Sequence, residues 1–112
     1  MFELDHVAVP TPDIAQGVTF YIENFGAKVL YQDDTWAFLQ MGPGKLALVT
    51  PSQHPPHIAL RVDETALGIA ADKAGVPVDE HRDGTKGIYV RDPAGNSVEL
   101  ICYPPGETMY EK

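Results

Sequence analysis

The chain has 112 residues, 44% of them hydrophobic and 21% charged, which suits one globular domain and excludes a disordered chain. Its 16 acidic side chains against 8 basic ones give a formal charge of −8, so it lacks the clustered Lys and Arg that bind nucleic acid or anionic lipid. No apolar run nears the roughly 20 residues of a membrane span, the opening Met-Phe-Glu-Leu-Asp-His has no leader pattern, and a soluble cytoplasmic protein is expected. The one cysteine, Cys102, cannot form an internal disulfide.

A loosely alternating run, Leu4 to Pro10, predicts the first strand. After Thr11-Pro12, Asp13 is placed to cap a helix whose apolar residues recur at Ile14, Val18, Tyr21, Ile22 and Phe25, and Gly26 closes it. Three strands follow: Lys28 to Gln32, Trp36 to Met41 after Asp33-Asp34, and Leu46 to Thr50 after Gly42-Pro43-Gly44. Pro55-Pro56 lacks amide donors, so 51 to 56 is a connector. The order then repeats. His57 to Val62 predicts a strand, Glu64 to Ala74 a helix ended by Gly75, and Pro77 to Glu80, Gly87 to Arg91 and Ser97 to Tyr103 three more strands. His6-Val7-Ala8-Val9 and His57-Ile58-Ala59-Leu60 open matching strands 51 residues apart, a period too long and too seldom repeated for a solenoid. The expectation is a single domain of two half-modules, about 1–50 and 57–103, with a frayed tail at 104–112 that can cross to a partner.

His6 and His57 open the matched strands and Glu99 lies on the last one. If the halves are related by an approximate two-fold, these residues meet. Two imidazoles and a carboxylate leave metal positions open, which suits Fe(II) and also Mn, Ni or Zn. Strand histidines also serve as hydrogen-bonded structural residues, and spacing does not choose between the two roles.

Several stretches resemble one family: Leu4-Asp5-His6-Val7-Ala8-Val9, the helix end Phe20 to Ala27, His57-Ile58-Ala59-Leu60, and Tyr89-Val90-Arg91-Asp92-Pro93-Ala94-Gly95-Asn96-Ser97-Val98-Glu99-Leu100. Together they look like the vicinal oxygen chelate superfamily, which contains glyoxalase I, bleomycin resistance proteins, fosfomycin-modifying enzymes and extradiol dioxygenases. The resemblance implies an α+β fold of two βαβββ modules forming a U-shaped mixed sheet around a metal cleft. It also implies a homodimer, and it puts His6, His57 and Glu99 on the family's ligand positions.

Within that family, glyoxalase I carries a further acidic ligand on the fourth strand, where this chain has Ala47 in Lys45-Leu46-Ala47-Leu48-Val49-Thr50. A glyoxalase-type proton shuttle then loses its base. Fosfomycin transferases bind a phosphonate through basic residues near the metal, and here no Arg or Lys follows Glu99 before Lys112. Bleomycin resistance proteins share the acidic charge but lack the ligand triad. The closing stretch is most similar to the extradiol dioxygenase motif, supplied here by His81, Ile88, Tyr89, Asp92, Pro93, Gly95 and Glu99. That implies Fe(II) as the favoured metal, a vicinal diol as substrate, Tyr89 bonding a substrate oxygen and His81 handling a proton near neutral pH. The further histidine those enzymes carry after the second ligand is missing between His57 and His81. A lyase or isomerase, and a binding protein that sequesters a small molecule without turnover, are the alternatives.

Other residues are expected to play lesser parts. Pro55-Pro56 points His54 away from any shared metal. Trp36, Phe38 and Met41 share a strand that floors the cleft or packs the core, and Trp36 is suited to stacking. Cys102, three residues beyond Glu99, falls on the opposite strand face as a buried thiol.

Overall fold

The computed structural model describes residues 2–81 and 84–104, so the expected tail beyond Pro104, and the Arg82 and Asp83 neighbours of His81, lie outside the described residues. The described chain is a mixed α+β arrangement of eight strands and two helices. The strands are β1 (Glu3–Pro10), β2 (Lys28–Gln32), β3 (Trp36–Met41), β4 (Gly44–Val49), β5 (His57–Arg61), β6 (Asp79–Glu80), β7 (Lys86–Arg91) and β8 (Ser97–Cys102), and the helices are α1 (Ile14–Phe25) and α2 (Glu64–Ala74). The contacts divide into two compact units, His6–His57 and the remainder.

In the His6–His57 unit the strands run β2-β3-β4-β1. β3 lies antiparallel to β2 and β4, while β1 runs parallel to β4 with Val7 beside Leu46 and Val9 beside Leu48. α1 begins at Asp13, whose carboxylate accepts the Gln16 amide at 3.1 Å, and ends at Gly26, where φ of +69° favours a residue without a side chain. The buried side of the helix, Ile14 and Val18, packs on Ala37, Leu39 and Leu48, with Val9, Met41 and Leu46 at the margin. Residues of the other parity on these strands, among them His6, Ala8, Phe38 and Ala47, therefore face away from α1.

The second unit orders its strands β5-β8-β7-β6 and packs α2 through Leu67 and Ala71 on Ile88, Leu100 and Cys102. Asp63 caps α2 by accepting the Ala66 amide at 2.7 Å, and Gly75 closes it. β7 and β8 pair antiparallel along their length, Tyr89 opposite Glu99. The same unit holds the start of β1. Asp5, its side chain 3% exposed, accepts from the Arg61 guanidinium at 3.1 Å and the Tyr103 hydroxyl at 2.9 Å. The guanidinium lies 4.1 Å over the Tyr103 ring.

The departures from expectation are at strand ends. β4 starts at Gly44 because Met41 pairs with Gly44 across a two-residue turn. β6 shrinks to Asp79 and Glu80, which alone find partners, in Gly87 and Lys86; Pro77 has no amide to offer a ladder.

Candidate metal centre

On β1, Val9 belongs to the α1 core, so alternation turns His6 to the other side, where its ring meets the edge of Phe38 at 5.3 Å. The His57 ring lies 5.5 Å from it at 73°. His57 opens β5 directly after the two prolines, and its Nδ1 sits 2.9 Å from the Pro55 carbonyl oxygen. A carbonyl only accepts, so Nδ1 carries the proton and Nε2 keeps its lone pair. This is the second contact that metal-binding imidazoles ordinarily make. The connector thus sets the tautomer of a candidate ligand as well as breaking the ladder.

On β8, Leu100 and Cys102 face α2, which leaves Glu99 on the opposite side of the strand. His6, His57 and Glu99 are 8%, 8% and 7% exposed. His6 and His57 lie in the His6–His57 unit and Glu99 in the other. Buried imidazoles and a buried carboxylate are the donor types that a divalent transition metal takes, two and one of them leaving coordination positions for a substrate. Ala47 pairs with Ala8 and Phe38 on the side away from α1, so β4 supplies no fourth carboxylate there.

Tyr89 stands directly across the ladder from Glu99, their side chains on one face. It is 41% exposed. Crowding by the protein, and secondly the Glu99 charge, raise its pKa above the ordinary phenol value, which keeps it a neutral donor. His81 is exposed, with Nδ1 2.8 Å from the Thr85 hydroxyl oxygen. A Cβ built on Gly87 would lie 3.5 Å from His81 Cε1 and 3.7 Å from Glu99 Oε2, so the imidazole edge and the carboxylate share the space over Gly87.

The Asp92 to Asn96 stretch makes a turn. The Asp92 carboxylate accepts the amides of Ala94 at 3.0 Å and Asn96 at 2.8 Å and the Asn96 side chain at 2.9 Å, and Arg91 reaches the Gly95 carbonyl at 2.9 Å. These bonds, the Asn96 side chain first, hold the Asp92 carboxyl below its usual pKa. The motif therefore sets the register that brings Tyr89 opposite Glu99, and none of its hydrogen bonds is left for chemistry.

His54 is an exposed connector residue, and Cys102 is a free thiol in the α2 core, its pKa pushed up by burial. Met41 belongs to the α1 core, whereas Trp36 and Phe38 face the other way and pack together at 5.7 Å. The Asp5–Arg61–Tyr103 cluster was not anticipated; an aspartate in a strand announces neither its burial nor a partner 98 residues away.

The family model of the Glyoxalase/Bleomycin resistance protein/Dioxygenase superfamily matches residues 3–100. No curated protein sequence matches the chain. Among solved structures, a hypothetical protein from Bacillus halodurans C-125 superposes with a TM-score of 0.74 at 18% identity, covering 95% of this chain and 97% of its own. A methylmalonyl-CoA epimerase from Mycobacterium tuberculosis gives 0.73 at 16%, covering 92% and 89%. A glyoxalase/bleomycin resistance protein/dioxygenase superfamily member from Vibrio splendidus 12B01 gives 0.67 at 15%, covering 91% and 98%. At such identities the likeness is one of fold.

Proposed function

Because the chain belongs to the glyoxalase/bleomycin resistance protein/dioxygenase superfamily, we propose that it is a metal-dependent enzyme acting on an oxygen-rich small molecule, with His6, His57 and Glu99 as the ligands. The observation that carries this reading is the pair of buried imidazoles, His6 and His57, whose rings lie 5.5 Å apart, in a chain that the superfamily's model matches. Iron(II) is the favoured ion, since two histidines and one carboxylate are the donor set of non-haem iron sites; zinc, nickel and manganese also suit it. Bound there, the ion supplies Lewis acidity and, if it is iron, a centre for oxygen chemistry.

The protein's own groups do the rest. Tyr89, held neutral opposite Glu99, donates a hydrogen bond to a substrate oxygen. His81, steadied by the Thr85 hydroxyl, takes or returns a proton at the open side of the same strand pair. These assignments lead us to an extradiol-type dioxygenase reaction first, in a homodimer. The second reading is a lyase or isomerase, favoured by the fold likeness to an epimerase and by the presence of two proton-carrying groups, Tyr89 and His81, beside the ligand Glu99.

Metal content measured by mass spectrometry on untagged protein purified anaerobically tests the proposal. Near-stoichiometric iron in the wild type, lost in His57→Ala, supports it and directs assays to catechols and oxygen uptake. Zinc, nickel or manganese with the same loss supports the isomerase or lyase reading. No metal in either protein, and none taken up on reconstitution, would sink the enzyme reading and leave a binding protein.

A further inference from the structure

The last two turns of α1 carry an exposed apolar surface. Phe20, Ile22 and Phe25 are 51%, 42% and 61% exposed, while Ile14 and Val18 of the same helix are buried on the sheet. The Phe20 ring lies edge-on to Tyr21 at 5.2 Å and steeply tilted to Phe25 at 5.7 Å, and Tyr21 and Phe25 are 6.1 Å apart. Three rings in mutual contact form a continuous patch, unlike single apolar residues scattered over a surface, and such a patch marks a contact with another molecule. The Asn24 side-chain amide turns back to the Phe20 carbonyl at 2.9 Å, so this donor is satisfied within the helix.

Charge selects the occupant. A chain with a formal charge of −8 repels its own copies over most of its surface. This end of α1 is an exception: Glu23 is the one charged residue among the twelve of the helix, and Lys28, three residues past Phe25 at the start of β2, offsets it. Both are exposed, and among the described residues neither has an ion-pair partner. Glu23 neighbours Phe20 on the helix surface at a spacing of three residues. In a two-fold pair a surface meets itself, so a patch bearing one acid and one base can satisfy both twice over. Both signs beside one neutral patch suit a partner that brings the same two, and that partner is a second copy.

We propose that the Phe20–Phe25 end of α1 is where two copies of this chain meet, ring patch on ring patch, with Glu23 of one copy paired to the partner's Lys28. This rests on the homodimer of the functional reading above and gives it a face. α1 packs on the side of its sheet opposite to His6, so the His6 side of that sheet stays out of the interface.

Sedimentation equilibrium of the full chain over a concentration series tests the proposal. The wild type is expected to dimerise, and Phe20→Ala and Phe25→Ala each to raise the dissociation constant about 30-fold, as the loss of an aromatic anchor does. Glu23→Lys and Lys28→Glu each weaken the dimer about 5-fold, since each change acts twice across the two-fold axis, and the double exchange restores it. Glu23 and Lys28 are exposed, so the exchange series decides the matter even if an aromatic variant misfolds. A dimer that neither the charge exchanges nor Phe25→Ala weakens overturns the inference and leaves the homodimer standing. A wild type that stays monomeric up to about 1 mM overturns both. The metal reading fails or stands separately, in the metal content of wild type and His57→Ala.

Discussion

At Gly87 a single hydrogen atom stands where a side chain would collide with the neighbouring strand: a Cβ there would lie 2.9 Å from the Leu100 carbonyl oxygen. Backbone cannot swing aside as a flexible side chain can, so Gly87→Ala must push β7 and β8 apart. We expect a loss of about 1–3 kcal/mol in urea denaturation, together with weaker metal retention, since Glu99 and His81 border the same space. Loss of stability with metal retention unchanged would place the strain away from Glu99. Asp33 gives a second case. Its carboxylate accepts from the Tyr31 hydroxyl, the Thr35 amide and hydroxyl, and the Trp36 amide, which takes its pKa from 3.8 to about 2, the Tyr31 bond contributing most. A carboxyl whose pKa is depressed on folding stabilises the fold above its unfolded value, and that contribution is lost as pH falls from 3.8 through about 2. Asp33→Asn should therefore flatten the acid limb of the stability curve in that window. The group is largely in solvent, so the effect is small, and a comparison of urea midpoints at pH 2 to 5 reads it. Neither residue could be singled out by type: a strand glycine reads as weak strand, and an Asp-Asp pair reads as a turn.

The elements themselves were legible because their signals are local. Asp13 and Gly26 around a 3.6-residue apolar period mark α1 in the sequence, and Gly75 marks the end of α2, whose Asp63 cap the structure added. A cap needs only a side-chain oxygen three residues before the amide it accepts, and that requirement is written in consecutive residues. Asp13→Ala and Asp63→Ala should each cost about 1 kcal/mol by thermal or urea unfolding, and about twice that together, since the two caps sit in separate compact units. The ends of β4 and β6 were misplaced for the opposite reason: whether a residue belongs to a ladder depends on its partner, and Gly44 finds one in Met41 whereas Pro77 has no amide to give. The Asp-Pro-x-Gly-Asn stretch resembled a catalytic signature and is a turn whose polar groups bond to one another.

For the whole molecule the testable quantity is linkage between metal and folding. With no disulfide available from one cysteine, a metal held by His6, His57 and Glu99 would tie residues far apart in the chain and should stabilise the folded state by about 2.7 kcal/mol at a free-metal concentration of about 100 Kd. That corresponds to a rise in Tm on the order of 10 °C for a chain of this size. Calorimetry with added metal and with chelator should show the shift in wild type and not in His57→Ala; equal shifts in both would place the metal elsewhere.

Strand and helix assignments and the repeated order were readable from residue types and spacing, because each depends on neighbours along the chain or on a strand-opening pattern that occurs twice; His6, His57 and Glu99 stood out as candidates by type, and the family resemblance put them on ligand positions. What folding added is which faces those residues share. The register of β7 on β8 puts Tyr89 opposite Glu99, that of β1 on β4 puts Ala47 beside Ala8, and the Pro55 carbonyl selects the tautomer of His57. The buried Asp5 with Arg61 and Tyr103 arises the same way. Cross-strand neighbours are fixed by hydrogen-bond register, where a slip of one residue turns every side chain to the other face, and nothing in the local sequence records that choice.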